Sequence, residues 1–529
     1  MEDSVQSGGK QPKGIKRIFM ITLVAILVIG GSVAAYVIMD KSPKEKYFLA
    51  EKDSLEFLTG QIEKRYQSEL DWSEYSAENP IESVMELSAE FNDPSGESYG
   101  LMSPEQIINN STVTMTTAID REEKRLSSKL EGSLGGFEIG GLDVFVTSEK
   151  GMVGLPFVEE LLQLKGKDFG KLLSQMDPYT FTGDEELDFS MMFDGNNLLS
   201  DEDIDYLKEE YALFIYDSLP DSAFESTDET IKVANETLDT EKIAFNLSEE
   251  ELKTILSELF EKMANDDRLK DIIQEQYQLQ TFGAFTVPQS SVLMEDADQF
   301  IADFTAGMEE ASEEIEELSM PDGLNSTIWI HNKLIVKRDF EVELGPNEDE
   351  MVTLHLNGNH LMEEANQSFT YEIGFKDAYD EGTVELTGEL SLENGEMNDS
   401  IQLSAEDVVL SYESSESLDD NKKDFERRFS VDDGYGFVGT LNWTGDASYD
   451  ADQMSSQHAF SVESPEVPQD LLTLHLSKDA STVSSVEIPS DDQVKDLGSM
   501  NIDELMMYME MELYPQFEEW MFGIMGPGF

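Results

Sequence analysis

The sequence predicts an α+β protein: an N-terminal transmembrane helix, then curved antiparallel β-sheets packed with amphipathic helices, the C-terminal half mostly an antiparallel meander. Three observations carry this. Ile18 to Met39 is a run of 22 residues without a charge. Apolar residues between Leu252 and Ile315 recur at steps of three and four, the period of helices with one buried face. From Leu324 the period changes to two and holds for about 165 residues, the spacing of strands with one wet face.

The uncharged run is long enough to cross a hydrocarbon core of ~30 Å as a single helix. Ile18, Phe19, Leu23, Ile26, Leu27, Ile29, Val33, Tyr36, Ile38 and Met39 supply the expected membrane anchor. Lys10, Lys13, Lys16 and Arg17 precede it against only Glu2 and Asp3, a basic bias that holds the short tail in the cytoplasm and sends the rest across. The expected location is the cell membrane, single-pass, N-terminus cytoplasmic and bulk extracytoplasmic. A cleaved secretory signal is the competing reading, because Ser32-Val33-Ala34-Ala35 offers small residues to a peptidase. The run nevertheless exceeds the ~7 to 15 residues of a usual signal core.

Past the anchor, Leu55, Leu58, Ile62, Tyr66 and Leu70 line one face of a helix from Pro43 to Leu70. Met85, Leu87, Ala89 and Phe91 alternate with Glu86, Ser88 and Glu90, and Val113, Met115, Thr117 and Ile119 do the same. Leu142, Val144 and Val146 continue the strand pattern, punctuated by Gly135-Gly136 and Gly140-Gly141 as turns or bulges. Residues 152–173 read as a short strand, a turn at Pro156 and helical pieces. Ser248 and Glu251 form a capping box before the stripe Leu252, Ile255, Leu256, Leu259, Phe260 and Met263. Two more amphipathic helices carry Leu269, Ile272, Ile273 and Tyr277, then Phe300, Ile301, Phe304, Met308 and Ile315. Pro321-Asp322-Gly323 ends the helical zone with a turn. Strands follow, with Leu334, Val336, Phe340, Val342 and Leu344 on one parity, then Phe369, Tyr371, Ile373 and Phe375, and later runs at 437–443, 458–462 and 472–476. The tail returns to helix at 502–522 with a kink at Pro515. The resulting division is 1–17 cytoplasmic tail, 18–39 transmembrane helix, 40–320 mixed α+β lobe with a helical middle, and 321–529 antiparallel β lobe with a C-terminal helix. Disordered loops are expected at Asn92 to Tyr99 and Glu413 to Asn421.

The formal charge is -77, from 35 basic and 112 acidic residues. Such a surface repels nucleic acid and anionic head groups, so nucleic acid is excluded as a partner. Scattering of the acids over almost every segment points to adaptation to a saline or alkaline medium, a halophilic pattern, in preference to a dedicated cation site. With 39% hydrophobic and 9% aromatic residues in clear periodicity, the chain reads as packed, unlike acidic disordered sequences. Zero cysteines remove disulfides and thiolate chemistry.

No residues assemble into a catalytic signature, and no catalytic, cofactor or metal site is assigned. Gly434, Gly436 and Gly439 match a dinucleotide-binding spacing but lead into a strand, where no helix N-terminus meets a pyrophosphate. His355 and His360 are five apart, on opposite faces of one strand. Asp201-Glu202-Asp203 with Asp205, and Asp446 with Asp450 and Asp452, are clusters that composition alone produces in so acidic a chain. In the tail, Met506, Met509, Phe517 and Trp520 form a candidate apolar contact surface, since thioethers repack around varied shapes; the plainer reading is a helix that covers the sheet.

Lys44-Glu45-Lys46-Tyr47-Phe48-Leu49-Ala50-Glu51, then Gly154-Leu155-Pro156-Phe157 with Lys167-Asp168-Phe169-Gly170, and Leu247-Ser248-Glu249-Glu250-Glu251-Leu252 resemble an uncharacterised family of single-pass, membrane-anchored exported proteins of spore-forming Gram-positive bacteria. The resemblance implies location and architecture and no catalytic residue. The Leu-Pro-Phe and Lys-Asp-Phe-Gly stretches, after a hairpin and before a helix, are also similar to lipoprotein-carrier-like envelope proteins, whose curved sheet closed by helices holds an acyl chain. That likeness is one of fold, and fold does not confer function. The expected function is a membrane-anchored binding protein of the cell envelope that holds a lipid, peptide or protein partner in an apolar concavity. The alternatives are an envelope hydrolase acting on cell-wall polymer or lipid, and a structural or regulatory partner in a membrane complex.

Overall fold

The computed structural model describes residues 42–92, 103–176, 181–183, 186–193, 199–284, 297–347, 350–491 and 494–525. The run 18–39, its flanking Lys10, Lys13, Lys16 and Arg17, and the loop 93–99 lie outside these residues.

In chain order the described strands are β1 (Ile81–Phe91), β2 (Thr112–Asp120), β3 (Arg125–Leu134), β4 (Phe137–Thr147), β5 (Lys150–Gly154), β6 (Leu161–Lys165), β7 (Phe224–Val233), β8 (Glu236–Leu247), β9 (Leu324–His331) and β10 (Leu334–Leu344). They continue with β11 (Val352–Met362), β12 (Asn366–Lys376), β13 (Glu381–Glu393), β14 (Glu396–Ala405), β15 (Val408–Asp419), β16 (Lys422–Asp432), β17 (Val438–Tyr449), β18 (Gln453–Glu463), β19 (Leu472–Thr482) and β20 (Val494–Asp496). Tight turns make the meander. At Asn394-Gly395, between β13 and β14, both residues take positive φ, 54° and 85°, the conformation whose twist matches that of the flanking strands.

The chain divides into two compact units, one of residues 1–61, 198–363 and 367–387, the other of 62–197, 364–366 and 388–529. In the first unit β7 to β12 pair in sequence order, each antiparallel to the next. One face is apolar because alternate residues of β8, β9 and β10 are largely so: Ile243 and Ile328 are fully buried, and Phe224 at the start of β7 stacks on Phe245 with ring centroids 4.5 Å apart. The helix Glu249–Asn265 starts at the expected capping box, with Ser248 accepting from the Glu251 backbone. It buries Leu252, Ile255, Leu256, Leu259 and Phe260 in the same core, joined by Ala311 near the end of the helix Ala297–Glu314 and by Ile315 just beyond it. Each of the buried Leu, Ile and Phe side chains contributes roughly 1.5–3 kcal/mol of transfer free energy.

The second unit holds a longer sheet. Its order is β14-β15-β16-β17-β18-β19-β1-β2-β3-β4-β5-β6, antiparallel throughout, with β20 added parallel to β6. The β1–β19 ladder, with Leu87 opposite Leu476, fuses a meander from the first half of the chain to one from the second. The expected antiparallel meander of the C-terminal half is therefore present, within a larger antiparallel β framework.

Three expectations are corrected. The segment Glu413 to Asn421, expected to be disordered, is the end of β15 and its turn, fully laddered to β14 and β16. Its inward positions hold Ser414 and Glu416 in place of apolar residues, which hid the alternation. The helix runs Pro43–Glu78 with non-helical geometry at Tyr66, and its buried positions include Ser54, Gln61 and Arg65 while Leu55, Ile62 and Leu70 are exposed. The tail is helical at Ile502–Tyr508 and Tyr514–Met525, joined by a π-helical turn at Met509–Leu513. The single-pass cell-membrane location is also corrected. Among the described residues no helix is long and apolar enough to cross a membrane, and the longest, Pro43–Glu78, carries charged side chains that would lie in hydrocarbon.

Candidate functional site

Cα partners in a ladder share a face, so the register sorts the second unit's sheet into two sides. One carries Ser411, Glu413, Ser415, Glu426, Arg428, Ser430, Asn442, Thr444, Gln457, Thr473, Ser477, Glu86 and Thr114, and is wet. The other is apolar. Across β14 to β18 it presents one row of Ile401, Tyr412, Phe429, Leu441 and Val462 and a second of Leu403, Leu410, Val431 and Gly439.

An apolar face is ordinarily covered, and this one is covered only at one end. There the last turns of Pro43–Glu78 lie over it. Arg65 places Nη1 at 2.9 and 2.7 Å from the two carboxylate oxygens of Asp399, and Trp72 packs with Ile81, Met454 and Ala480. At the other end the side chains meet solvent: Leu410 is 44% exposed, Phe429 40%, Leu441 37% and Val462 53%. Together with Leu403 and Phe437 they line an open depression of about 550 Å³. Contiguous exposed apolar surface is uncommon on folded proteins.

Between covered and open ends lies a group of buried charges. The Glu416 carboxylate accepts from Arg427 Nε at 2.7 Å and lies 3.1 Å from Lys423 Nζ, which also reaches Glu69 at 2.7 Å. Glu416 and Lys423 are only 2% and 3% exposed. Burial pushes the Glu416 carboxyl up, but the hydrogen bond from Arg427 and the two nearby cations outweigh it and hold the group below its ordinary value. The Arg427 guanidinium also sits 4.5 Å from the centroid of the Phe425 ring and 4.6 Å from that of Trp443. Gly445 leaves room for the Phe425 ring, whose Cζ would be 2.7 Å from an added Cβ. His458 receives the Trp443 indole N–H at 3.2 Å, and burial lowers its basicity. These charges close the floor of the apolar strip in balanced pairs. Reading by sequence missed them. The available signal was β16 itself, where Lys423, Phe425, Arg427 and Phe429 share one parity.

The first unit has a smaller cleft of about 220 Å³, lined by Glu51, Ser54, Arg338, His360 and Tyr371 among others. Arg338, which interrupts the apolar parity of β10, is buried and paired with Glu51. His360 has Tyr371 Oη 3.2 Å from Nδ1 and Gln367 Oε1 3.2 Å from Nε2. A neutral imidazole satisfies both, donating from Nε2 and accepting at Nδ1, and burial lowers its basicity. With its polar groups so occupied, this cleft is a satisfied network that fixes the sheet against the helix. His355 points to the other face of β11 and pairs with Glu372 at 3.3 Å. Among the described residues no group of three or more histidines and carboxylates could hold a metal.

The tail residues separate into two sets. Met506 and Met509 are exposed at 52% and 45%. Phe517 and Trp520 are half-buried against Phe157, at 5.4 and 5.5 Å between ring centroids, and thereby pin the last helix to the loop after β5.

No protein-family model matches the chain, and no curated protein matches it. Among solved structures it is similar to Pseudomonas aeruginosa OccK3, at 6% identity and a TM-score of 0.23 over 78% of this chain and 97% of that one. It is also similar to Pseudomonas aeruginosa OprD, at 6% identity and a TM-score of 0.22 over 77% and 96%. A loop-deletion mutant of OmpT, an outer membrane protein of Vibrio cholerae, gives 7% identity and a TM-score of 0.14 over 76% and 97%. At such TM-scores the likeness carries no argument about fold or function.

Proposed function

We propose that the chain is a non-enzymatic binding protein that seats an apolar partner on the open end of the second unit's sheet. One observation carries the reading: a row of apolar side chains crosses five neighbouring strands on a single face, a shorter parallel row of Leu403, Leu410 and Val431 lies beside it, and Leu410, Phe429, Leu441 and Val462 remain accessible to water. A sheet face this apolar costs about 25 cal/mol for each Å² left in water, a cost that a partner relieves on docking. The charges bordering the strip are paired, Glu416 with Arg427 and Lys423 and Arg65 with Asp399, which suits a floor.

Nile red titrated into the full chain tests this. Blue-shifted, saturable fluorescence is expected from the wild type and a loss of at least about tenfold in affinity from Leu410→Gln/Leu441→Gln, since polar replacement removes roughly 1.5–3 kcal/mol of apolar contact at each buried site. Equal affinity in the two proteins would refute the assignment to this face.

A further inference from the structure

The apolar strip is bordered by a one-signed rim. The three turns beyond its open end, 405–408, 432–438 and 463–472, contain Glu406, Asp407, Asp432, Asp433, Glu463, Glu466 and Asp470 and no lysine or arginine. They stand on a chain whose net charge is -77. A partner with an anionic head meets repulsion over the whole approach, whereas a cationic one is steered in.

The strands under the strip narrow the choice further. β15, β16, β17 and β18 are each hydrogen-bonded on both sides. They offer no free backbone groups in the strip's interior, so an extended peptide lying there would leave its own N–H and C=O groups unpaired. A helix satisfies its backbone internally. Five strands at ~4.8 Å make a strip roughly 20 Å long, the rise of about 13 helical residues. Two rows of side chains ~7 Å apart match the width of one helix stripe.

Resting on the reading of this face as an apolar binding surface, we infer that its occupant is an amphipathic helix of a partner protein with lysine or arginine flanking its apolar stripe. The apolar stripe lies across β14 to β18, and the basic side chains reach the acidic turns.

Fluorescence anisotropy with the full chain and three labelled 18-residue peptides tests this: a Leu/Lys amphipathic helix, a Leu/Glu helix of the same pattern, and a Leu/Lys peptide of the same composition scrambled to remove the apolar stripe. The Leu/Lys helix should bind at least about tenfold more tightly than either control at ~0.15 M salt. Its affinity should fall about tenfold in Leu410→Gln/Leu441→Gln and severalfold in Glu406→Lys/Glu466→Lys, with thermal midpoints showing that both variants fold. Equal binding of the scrambled peptide, or indifference to both double variants, would reduce the interaction to bulk charge and overturn the inference. Equal binding of the Leu/Glu helix would overturn the charge selection and leave the apolar surface standing. Failure of both helices together with failure of Nile red would remove the surface as well.

Discussion

Replacing Glu416 by Gln removes the one anion that faces two buried cations while keeping the side chain's shape. At an effective dielectric of ~20, unit charges ~4 Å apart interact by about 4 kcal/mol, and desolvation of the ions offsets much of that. After the change the two cations fare differently. Lys423 keeps Glu69 at 2.7 Å. Arg427 loses its only carboxylate partner among the described residues and is left 13% exposed between two aromatic rings. Breaking a buried pair from one side costs about 3–5 kcal/mol; the retained Glu69 contact and the ring contacts place this case near ~3 kcal/mol. Urea denaturation followed by tryptophan fluorescence should show the second unit's midpoint falling at unchanged slope. The pH dependence follows from the same group. Its folded-state pKa is depressed, so its contribution is fully present above the unfolded value of ~4.3 and is lost as pH falls through the folded value, a loss that Glu416→Gln should lack. A change below ~0.5 kcal/mol, typical of surface substitutions, with the same acid limb as wild type, would refute the claim that this network holds the strip's floor.

Leu256→Ala in the first unit, at a fully buried position, should cost about 2–5 kcal/mol through the cavity it leaves, read as a lower urea midpoint. Ser248→Ala removes the side chain that accepts from the Glu251 backbone and should cost ~1 kcal/mol, recovered mostly by Ser248→Asp, as differential scanning calorimetry would show. With a charge of -77, the thermal midpoint should rise as sodium chloride goes from ~0.1 M toward molar concentration, because the Debye length shrinks from about 10 to 3 Å; a flat or falling midpoint would contradict dominant self-repulsion.

Local chemistry was legible in the sequence because its causes are local. Ser248 and Glu251 announce a helix start whatever surrounds them, the stripe Leu252 to Phe260 fixes which side is buried, and alternation from Leu324 onward fixes strands and a wet face. Polar strands escaped the same reading. β7, with the sequence Phe-Glu-Ser-Thr-Asp-Glu-Thr-Ile-Lys-Val, is almost wholly exposed, so no hydrophobic period marks it. The helix Pro43–Glu78 misled for a related reason: its leucines suggested the buried stripe, but the sheet face beneath its last turns holds Asp399 and Lys423, and those select Arg65 and Glu69 as the inward positions.

Sequence alone thus determined the alternation of helix and strand, the acidic surface and the lack of thiol chemistry, all of which depend on a residue and its near neighbours. Tertiary structure alone decided that β1 pairs with β19 across nearly 400 residues, that Glu416, Lys423 and Arg427 are buried together, and that two apolar rows on one face stay open. Pairing between distant strands depends on which edges meet, and the burial of a charge depends on whether its counter-charge arrives from elsewhere in the chain; neither is written in a local pattern.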